Sequence, residues 1–276
     1  MRIGSRSLPA SLASVAEELE LRQPKIVTKE MLRTILSKKG INLNEGDVAN
    51  RLQKHGWLLS LKTMGAWEFA PGSRAGALGS GDRFIELRAT LLRRPGFQVA
   101  IACESAVWLH GLGRRAPNKN VLAVPQGVIA PPALQGFRIT RNWGRLSATL
   151  IDSLPVWRIE TLLVLIAAHP TSYRAWPTIG EWLDEVARRA EEAAILEELS
   201  GRSSATWARM GYILEIVGQL KIANRLHAQP QPRKRGPFYL GPRNATTTYS
   251  QRWNILDSLL ARNYRRHVGQ FQPKSS

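Results

Sequence analysis

The sequence predicts an α+β (mixed α/β) chain in two parts: a small N-terminal unit of three helices and a hairpin, then a larger mixed α/β domain. Three observations predict it. Helical periodicity recurs three times within residues 8–56 and gives way to strand alternation over 57–70. The stretch "PGSRAGALGSG", residues 71–81, has linker composition. Beyond it, helical and strand patterns interleave with no repeat of fixed period. The expected domains are therefore 1–75 and 82–276, joined by 71–81.

Each element has its own warrant. Leu8, Leu12, Val15, Ala16 and Leu19 fall on one face of a first helix. In "VTKEMLRTILSKKG" Thr28 is the N-cap, Val27 and Leu32 are spaced as a hydrophobic staple, and Gly40 is the stop. Met31, Leu32, Ile35 and Leu36 form its buried stripe. Asn44 caps a third helix with Asp47 three positions on; Val48, Ala49 and Leu52 point inward, and Gly56 ends it. Strands Trp57–Lys62 and Ala66–Ala70 turn at "TMG"; Trp57, Leu59 and Leu61 share one face, as do Trp67 and Phe69. The two tryptophans are read as clamps holding the hairpin on the helices.

In the second part "DRFIELRATLLRR" is amphipathic and "CESAVWLHGLG" is a short buried helix ending in glycine. "NVLAVP" and "FRITRNW" read as strands; "RIETLLVLIAAH", "TIGEWLDEVARRAEEAAILEEL" and "SATWARMGYILEIVG" read as helices, the last capped by Ser203 or Ser204. "PFYLGP" and "ATTTYSQRWNIL" are expected to pair late in the chain.

The net charge of +18, from 39 Lys and Arg against 21 Asp and Glu, points to a polyanionic partner, usually nucleic acid. More than half of that excess lies in residues 221–276, which hold eleven basic side chains and one acidic. Cys103 is the single cysteine, so no intrachain disulfide can form; in its apolar run it reads as a small buried hydrophobe. The longest apolar run, "LLVLIAA" at 162–168, is far short of a membrane span, and no signal-peptide pattern opens the chain. The expectation is a cytoplasmic protein with no membrane partner.

Three helices followed by a two-stranded wing describe a winged helix-turn-helix. Along its third helix Asp47, Asn50, Arg51 and Lys54 recur at i, i+3, i+4 and i+7, a polar stripe opposite Val48 and Leu52. Asn can pair bidentately with adenine and Arg with guanine in the major groove. Lys29, Arg33, Lys38, Lys54 and His55 suit phosphates, which fix register without reading sequence. Thr28 and Asn44 at the helix starts, with Lys62 and Thr63 at the wing tip, complete the candidate DNA-binding set. A solvated helix face or a protein-docking module would carry the same stripe.

Catalytic patterns are missing. The five histidines are scattered with no His-x-x-x-His pair and no cysteine partners, so no metal site is expected, and no Gly-x-Ser-x-Gly elbow occurs. Asp152 and Glu160 are spaced like nuclease carboxylates, yet no lysine follows Glu160. The chain is read as neither an enzyme nor a cofactor binder.

In "VTKEML", "RLQKHGWLLSLKTMGAWEFAPG", "ESAVWLHGL", "ETLLVLIAAHPTSYRAW" and "LSGRSSATWARMGYIL" the chain resembles the AbiEi-type antitoxins of bacterial abortive-infection (toxin–antitoxin, phage-defence) systems, especially mycobacterial-type members. The resemblance covers most of residues 25–215. It implies an N-terminal winged helix that binds inverted repeats upstream of its own operon and represses transcription. It also implies a C-terminal domain that counteracts a nucleotidyltransferase toxin, with or without direct contact. Arg233, Lys234, Arg235, Arg243, Arg262, Arg265 and Arg266 offer two routes to that end: holding the RNA such a toxin modifies, or docking an acidic face of the toxin. The alternative is a stand-alone winged-helix regulator whose second domain binds a ligand.

Overall fold

The computed structural model describes residues 8–74, 78–171, 176–229, 237–243 and 248–261. It forms two compact units, one of Met1–Gln98 with Ile129–Gly136, the other of Val99–Val128 with Phe137–Ser276.

The first unit runs α1 (Ala10–Arg22), β1 (Ile26–Thr28), α2 (Lys29–Lys38), α3 (Glu45–Lys54), β2 (Leu58–Ser60), β3 (Ala66–Phe69) and α4 (Ile85–Arg93), with a 3₁₀ turn at Pro132–Leu134. Its antiparallel sheet has the order β1-β3-β2. The register sets Leu58 opposite Phe69 and Leu59 opposite Glu68, which gives the sheet two distinct faces. Leu58 and Phe69 join Leu12, Val15, Leu19, Val27, Leu32, Ile35, Val48 and Leu52 in one core, with Trp57 and Trp67 packed against it. On the opposite face Ile26 and Ala66 pack on Ala89 of α4, flanked by Leu61 and Ile85. The wing is thus a three-stranded sheet covered on both sides. Strand β1, three residues long, is too short to show alternation in the sequence.

The expected edge at 71–81 is where the structure departs most from the sequence reading. The first unit continues to Gln98, and α4, expected to open the second domain, closes the back of the winged-helix sheet. The described ends of the glycine-rich stretch, 71–74 and 78–81, bond to the same unit. The carboxylate of Glu20 takes the Gly72 N–H, and buried Glu68 takes the Ser80 N–H together with the Arg74 guanidinium.

The second unit runs β4 (Ala100–Ile101), α5 (Cys103–Leu109), β5 (Val121–Val124), β6 (Arg138–Arg141), β7 (Thr149–Ile151), β8 (Leu154–Val156), α6 (Ile159–Ala168), α7 (Leu183–Arg189), α8 (Glu192–Leu199), α9 (Ser204–Ile216), α10 (Leu220–Ala228), β9 (Phe238–Leu240), β10 (Thr248–Ser250) and β11 (Ile255–Asp257). A five-stranded sheet has the order β6-β5-β4-β8-β7, mixed in direction, and a three-stranded sheet has β10-β11-β9. Apolar nearly all round, α6 is buried from Ile159 to Val164 and again at Ile166 and Ala167, as a central helix must be.

The late strands pair as expected, β9 and β10 both on β11, and Ser203 is the cap of α9, accepting from the Thr206 N–H at 3.3 Å. One local reading changes, and one hairpin is added. "TIGEWLDEVARRAEEAAILEEL" is not one helix: a 3₁₀ turn at Trp176–Glu181 leads into α7, and Ala190, extended at ψ 136°, separates α7 from α8. "TLIDSLPV" is a hairpin whose turn residues Asp152 and Ser153 hold φ of 46° and 59°, the left-handed pair a two-residue turn requires. Gly211 in the middle of α9 lets the Trp253 indole lie against the helix backbone, where a Cβ would come within 2.1 Å of the ring.

Candidate nucleic-acid interface

The third helix of the first unit is positioned from three sides. Asn44 accepts the Gly46 N–H at 2.8 Å and starts α3, while Val48, Ala49 and Leu52 are fully buried beneath it. The Trp67 indole N–H donates to Gln53 Oε1 at 2.9 Å, and Gln53 Nε2 donates to Ser60 Oγ at 2.5 Å, tying the helix to both wing strands. Both tryptophans pack against the helical core, and Trp67 adds the hydrogen bond to Gln53. A rigidly seated helix is what groove readout needs, because base-edge hydrogen bonds tolerate little misalignment.

On the outer face Asp47, Asn50, Arg51 and Lys54 are all exposed. Among the described residues none of these four side chains makes a hydrogen bond or ion pair within the protein. The stripe is thus uncommitted internally, with Asp47 in the first turn where a carboxylate suits the helix dipole. Lys29, Arg33 and Lys38 of α2 are exposed as well. Arg33 is partly engaged, its guanidinium 2.6 Å from Glu45 and bridging α2 to α3; that hydrogen bond holds the Glu45 carboxyl below its ordinary range. Lys38 lies 3.9 Å from Glu18, at the outer limit of an ion pair. His55 is half-buried at the C-cap of α3.

Other expected members take structural posts. Thr28 accepts the Met31 N–H at 3.3 Å and starts α2, so its hydroxyl, like the amide oxygen of Asn44, serves its own helix. Thr63 departs from expectation. It is buried, its N–H and Oγ1 both bonded to the Glu86 carboxylate of α4, and Met64 stands exposed at the tip instead. Lys62 keeps an exposed side chain while its N–H donates to Glu86 at 2.7 Å. A half-buried carboxylate that accepts two backbone N–H groups and a hydroxyl makes the wing tip part of the scaffold. Nothing in the local sequence marks Glu86, since its partners lie more than twenty positions away.

Of the C-terminal basic set, Arg243 is exposed with its guanidinium 5.1 Å from the Tyr239 ring centroid. Arg233, Lys234, Arg235, Arg262, Arg265 and Arg266 lie outside the described residues.

The second unit uses its charges inside. Glu198, fully buried, accepts from the Arg145 and Leu146 N–H groups, the Thr161 hydroxyl and Arg202, all at 2.7 to 3.1 Å. The Arg202 guanidinium also lies 3.4 Å above the Trp143 ring and donates to the Trp143 carbonyl, so the loop 142–146 is fixed from both ends. Glu160 accepts from Arg158 and the Glu191 N–H, while Asp152 sits in the hairpin turn; the two are in separate posts and form no carboxylate pair. Burial pushes the Cys103 thiol up to about 12, which leaves it protonated and inert as a nucleophile at neutral pH. Among the described residues no group of three or more His, Cys, Asp or Glu is placed to hold a metal, and no helix is long and apolar enough to cross a membrane.

Comparison with known proteins covers both units. A search of curated proteins finds no match. Among solved structures, the RV2827C protein from Mycobacterium tuberculosis superposes with a TM-score of 0.78 at 24% identity, over 96% of this chain and 97% of that one. The mixed α/β fold of the whole chain is therefore shared with a known structure. The family described as AbiEi antitoxin C-terminal domain matches residues 99–216, a span that begins one residue after the first unit's main segment ends and takes in the buried α6 and the Glu198 cluster. Over residues 99–216, less than half of its length, the chain is thus similar to the C-terminal domain of the AbiEi antitoxins.

Proposed function

We propose that the first unit binds inverted-repeat operator DNA upstream of its own operon and represses it, while the second neutralises a nucleotidyltransferase toxin in the cytoplasm. The domain match supports an antitoxin role in a toxin–antitoxin system. The DNA half of the reading rests on one observation: a firmly seated helix presents Asp47, Asn50, Arg51 and Lys54 outward, with none of them committed inside the protein. Lys29, Arg33, Lys38 and Lys62 flank that helix as phosphate contacts, while Asn50 and Arg51 read bases. The antitoxin half draws on the family, with RNA held on the basic C-terminal segment or direct docking to the toxin as the two routes.

The test uses the full chain, because a fragment ending at residue 75 would strip α4 from the sheet it covers. Binding to duplex from its own upstream region is compared with a scrambled duplex across a salt titration. The reading expects a preference that persists at physiological salt. Asn50→Ala and Arg51→Ala should each weaken it by about 1–3 kcal/mol. Equal binding to both duplexes with a steep salt slope would make the winged helix a generic polyanion binder or a protein-docking module. Co-expression with a nucleotidyltransferase toxin of such a system, the neighbouring gene being the first to try, tests the second half, growth rescue being the expected result and continued arrest the contrary one.

A further inference from the structure

Between the C-terminal end of α6 and strand β9, the second unit carries an open pocket of about 390 Å³. It is lined by His169, Pro170 and Thr171 after α6, by Arg209 of α9, and by Phe238, Tyr239 and Arg243 around β9. That volume is in the range of small-ligand sites. Its lining is unusual in sign: two guanidinium groups and an imidazole, with no Asp or Glu among the described residues that line it.

Arg209 is the centre of this asymmetry. Its Nη1 donates to the carbonyl oxygens of Ala167 and Ala168 at 3.2 and 3.5 Å, which uses one edge of the guanidinium. Its Nε is buried and has no hydrogen-bond partner among the described residues. A half-buried guanidinium that lines the pocket and is otherwise bonded to neutral carbonyls favours an anion there. Burial and the neighbouring Arg202 and Arg209 hold His169 below its ordinary range, so the same field that favours an anion disfavours further positive charge here. The imidazole is itself oriented, edge-on to Trp143 at 5.4 Å, and Trp143 is fixed by Arg202.

We propose that this pocket binds the phosphate of a phosphorylated organic ligand of nucleotide size, with Arg209, His169 and Arg243 around the anion and Phe238 and Tyr239 against the organic portion. The site lies within the second unit, and its test does not involve the operator.

Calorimetry on the full chain at physiological salt would compare AMP, ATP, inorganic phosphate and adenosine, with a 5′-phosphorylated and an unphosphorylated trinucleotide as further arms. The proposal expects AMP or ATP to bind and adenosine to bind at least about tenfold more weakly, since a charge-assisted contact accounts for that much. Arg209→Gln, which can keep a carbonyl contact, should lose about tenfold or more. Arg243→Gln should lose less, and Arg225→Gln on α10, paired with Glu192, should change nothing. If Arg209→Gln proves unstable by thermal melt, His169→Gln gives the same reading. Preference for the phosphorylated trinucleotide over AMP assigns the phosphate to a nucleic-acid end; the reverse assigns it to a free nucleotide. Absence of binding by every phosphate up to millimolar concentration, or equal binding by Arg209→Gln and Arg225→Gln, overturns the proposal.

Discussion

The two units use charge in opposite ways. In the first, the interior around α1–α3 is apolar, and most basic side chains face water on α2 and α3. In the second, carboxylates go inside: Glu160 and Glu198 are buried and each holds the backbone of a distant segment. Asp257 does similar work locally, accepting the Tyr212 hydroxyl and three backbone N–H groups that follow it. The difference teaches where each unit's sensitivity lies. Surface charges can change with little cost to the fold and a large effect on binding; buried, fully satisfied carboxylates have the reverse balance.

The largest expected effect tests that balance directly. Glu198→Ala should destabilise the second unit by about 3–5 kcal/mol, because it strands the Arg202 charge, two N–H groups and a hydroxyl. The measurement is a denaturant or thermal melt. A change no larger than that of an ordinary surface substitution would break the contrast between the units.

Glu68 and Glu86 are exceptions within the first unit, and at half-buried Glu86 a smaller effect is expected. Glu86→Ala should cost about 1–3 kcal/mol by leaving Thr63 and the Lys62 N–H unsatisfied. Hydrogen exchange at the Lys62 and Thr63 amides should rise while that of α3 stays unchanged. Uniform protection before and after the change would mean that the tip is held by the strands alone.

The smallest expected effect is the order of acid response. Burial holds the neutral form of His110, whose Nε2 donates to the Trp157 carbonyl at 2.8 Å, so its folded pKa lies below 6.5. The unfolded chain therefore binds the proton first. Stability from this group is complete above about pH 6.5 and is lost as pH falls below it. His169 acts with the same sign. In the first unit the Glu30 carboxyl, bonded to its own backbone N–H and to Arg93, is lowered to about 2, so its contribution is lost only between about pH 4.5 and 2. Chemical shifts followed through an acid titration should report the second unit loosening first. Simultaneous loss would remove the distinction.

Much was legible from local pattern. The capping of α2, α3 and α9 by Thr28, Asn44 and Ser203, the inward stripe Val48–Ala49–Leu52 and the exposed Asn50–Arg51–Lys54 stripe follow from spacing within one helix. The break at Ala190 was not, because charged and apolar residues continue the helical period across it.

What the sequence by itself determined is the set of elements whose cause lies within a turn or two of chain: helix faces, caps, hairpin turns and the sign of the surface charge. Only the tertiary structure decided which elements belong together. It put α4 on the back of the wing, turned Thr63 inward on Glu86, gathered Arg145 and Thr161 about Glu198, and set Arg209 beside a pocket with His169. Each of those placements depends on partners from 23 to more than 50 residues away. Periodicity carries no information at that range, and a polar residue on a helix reads the same whether it meets water or a distant backbone N–H.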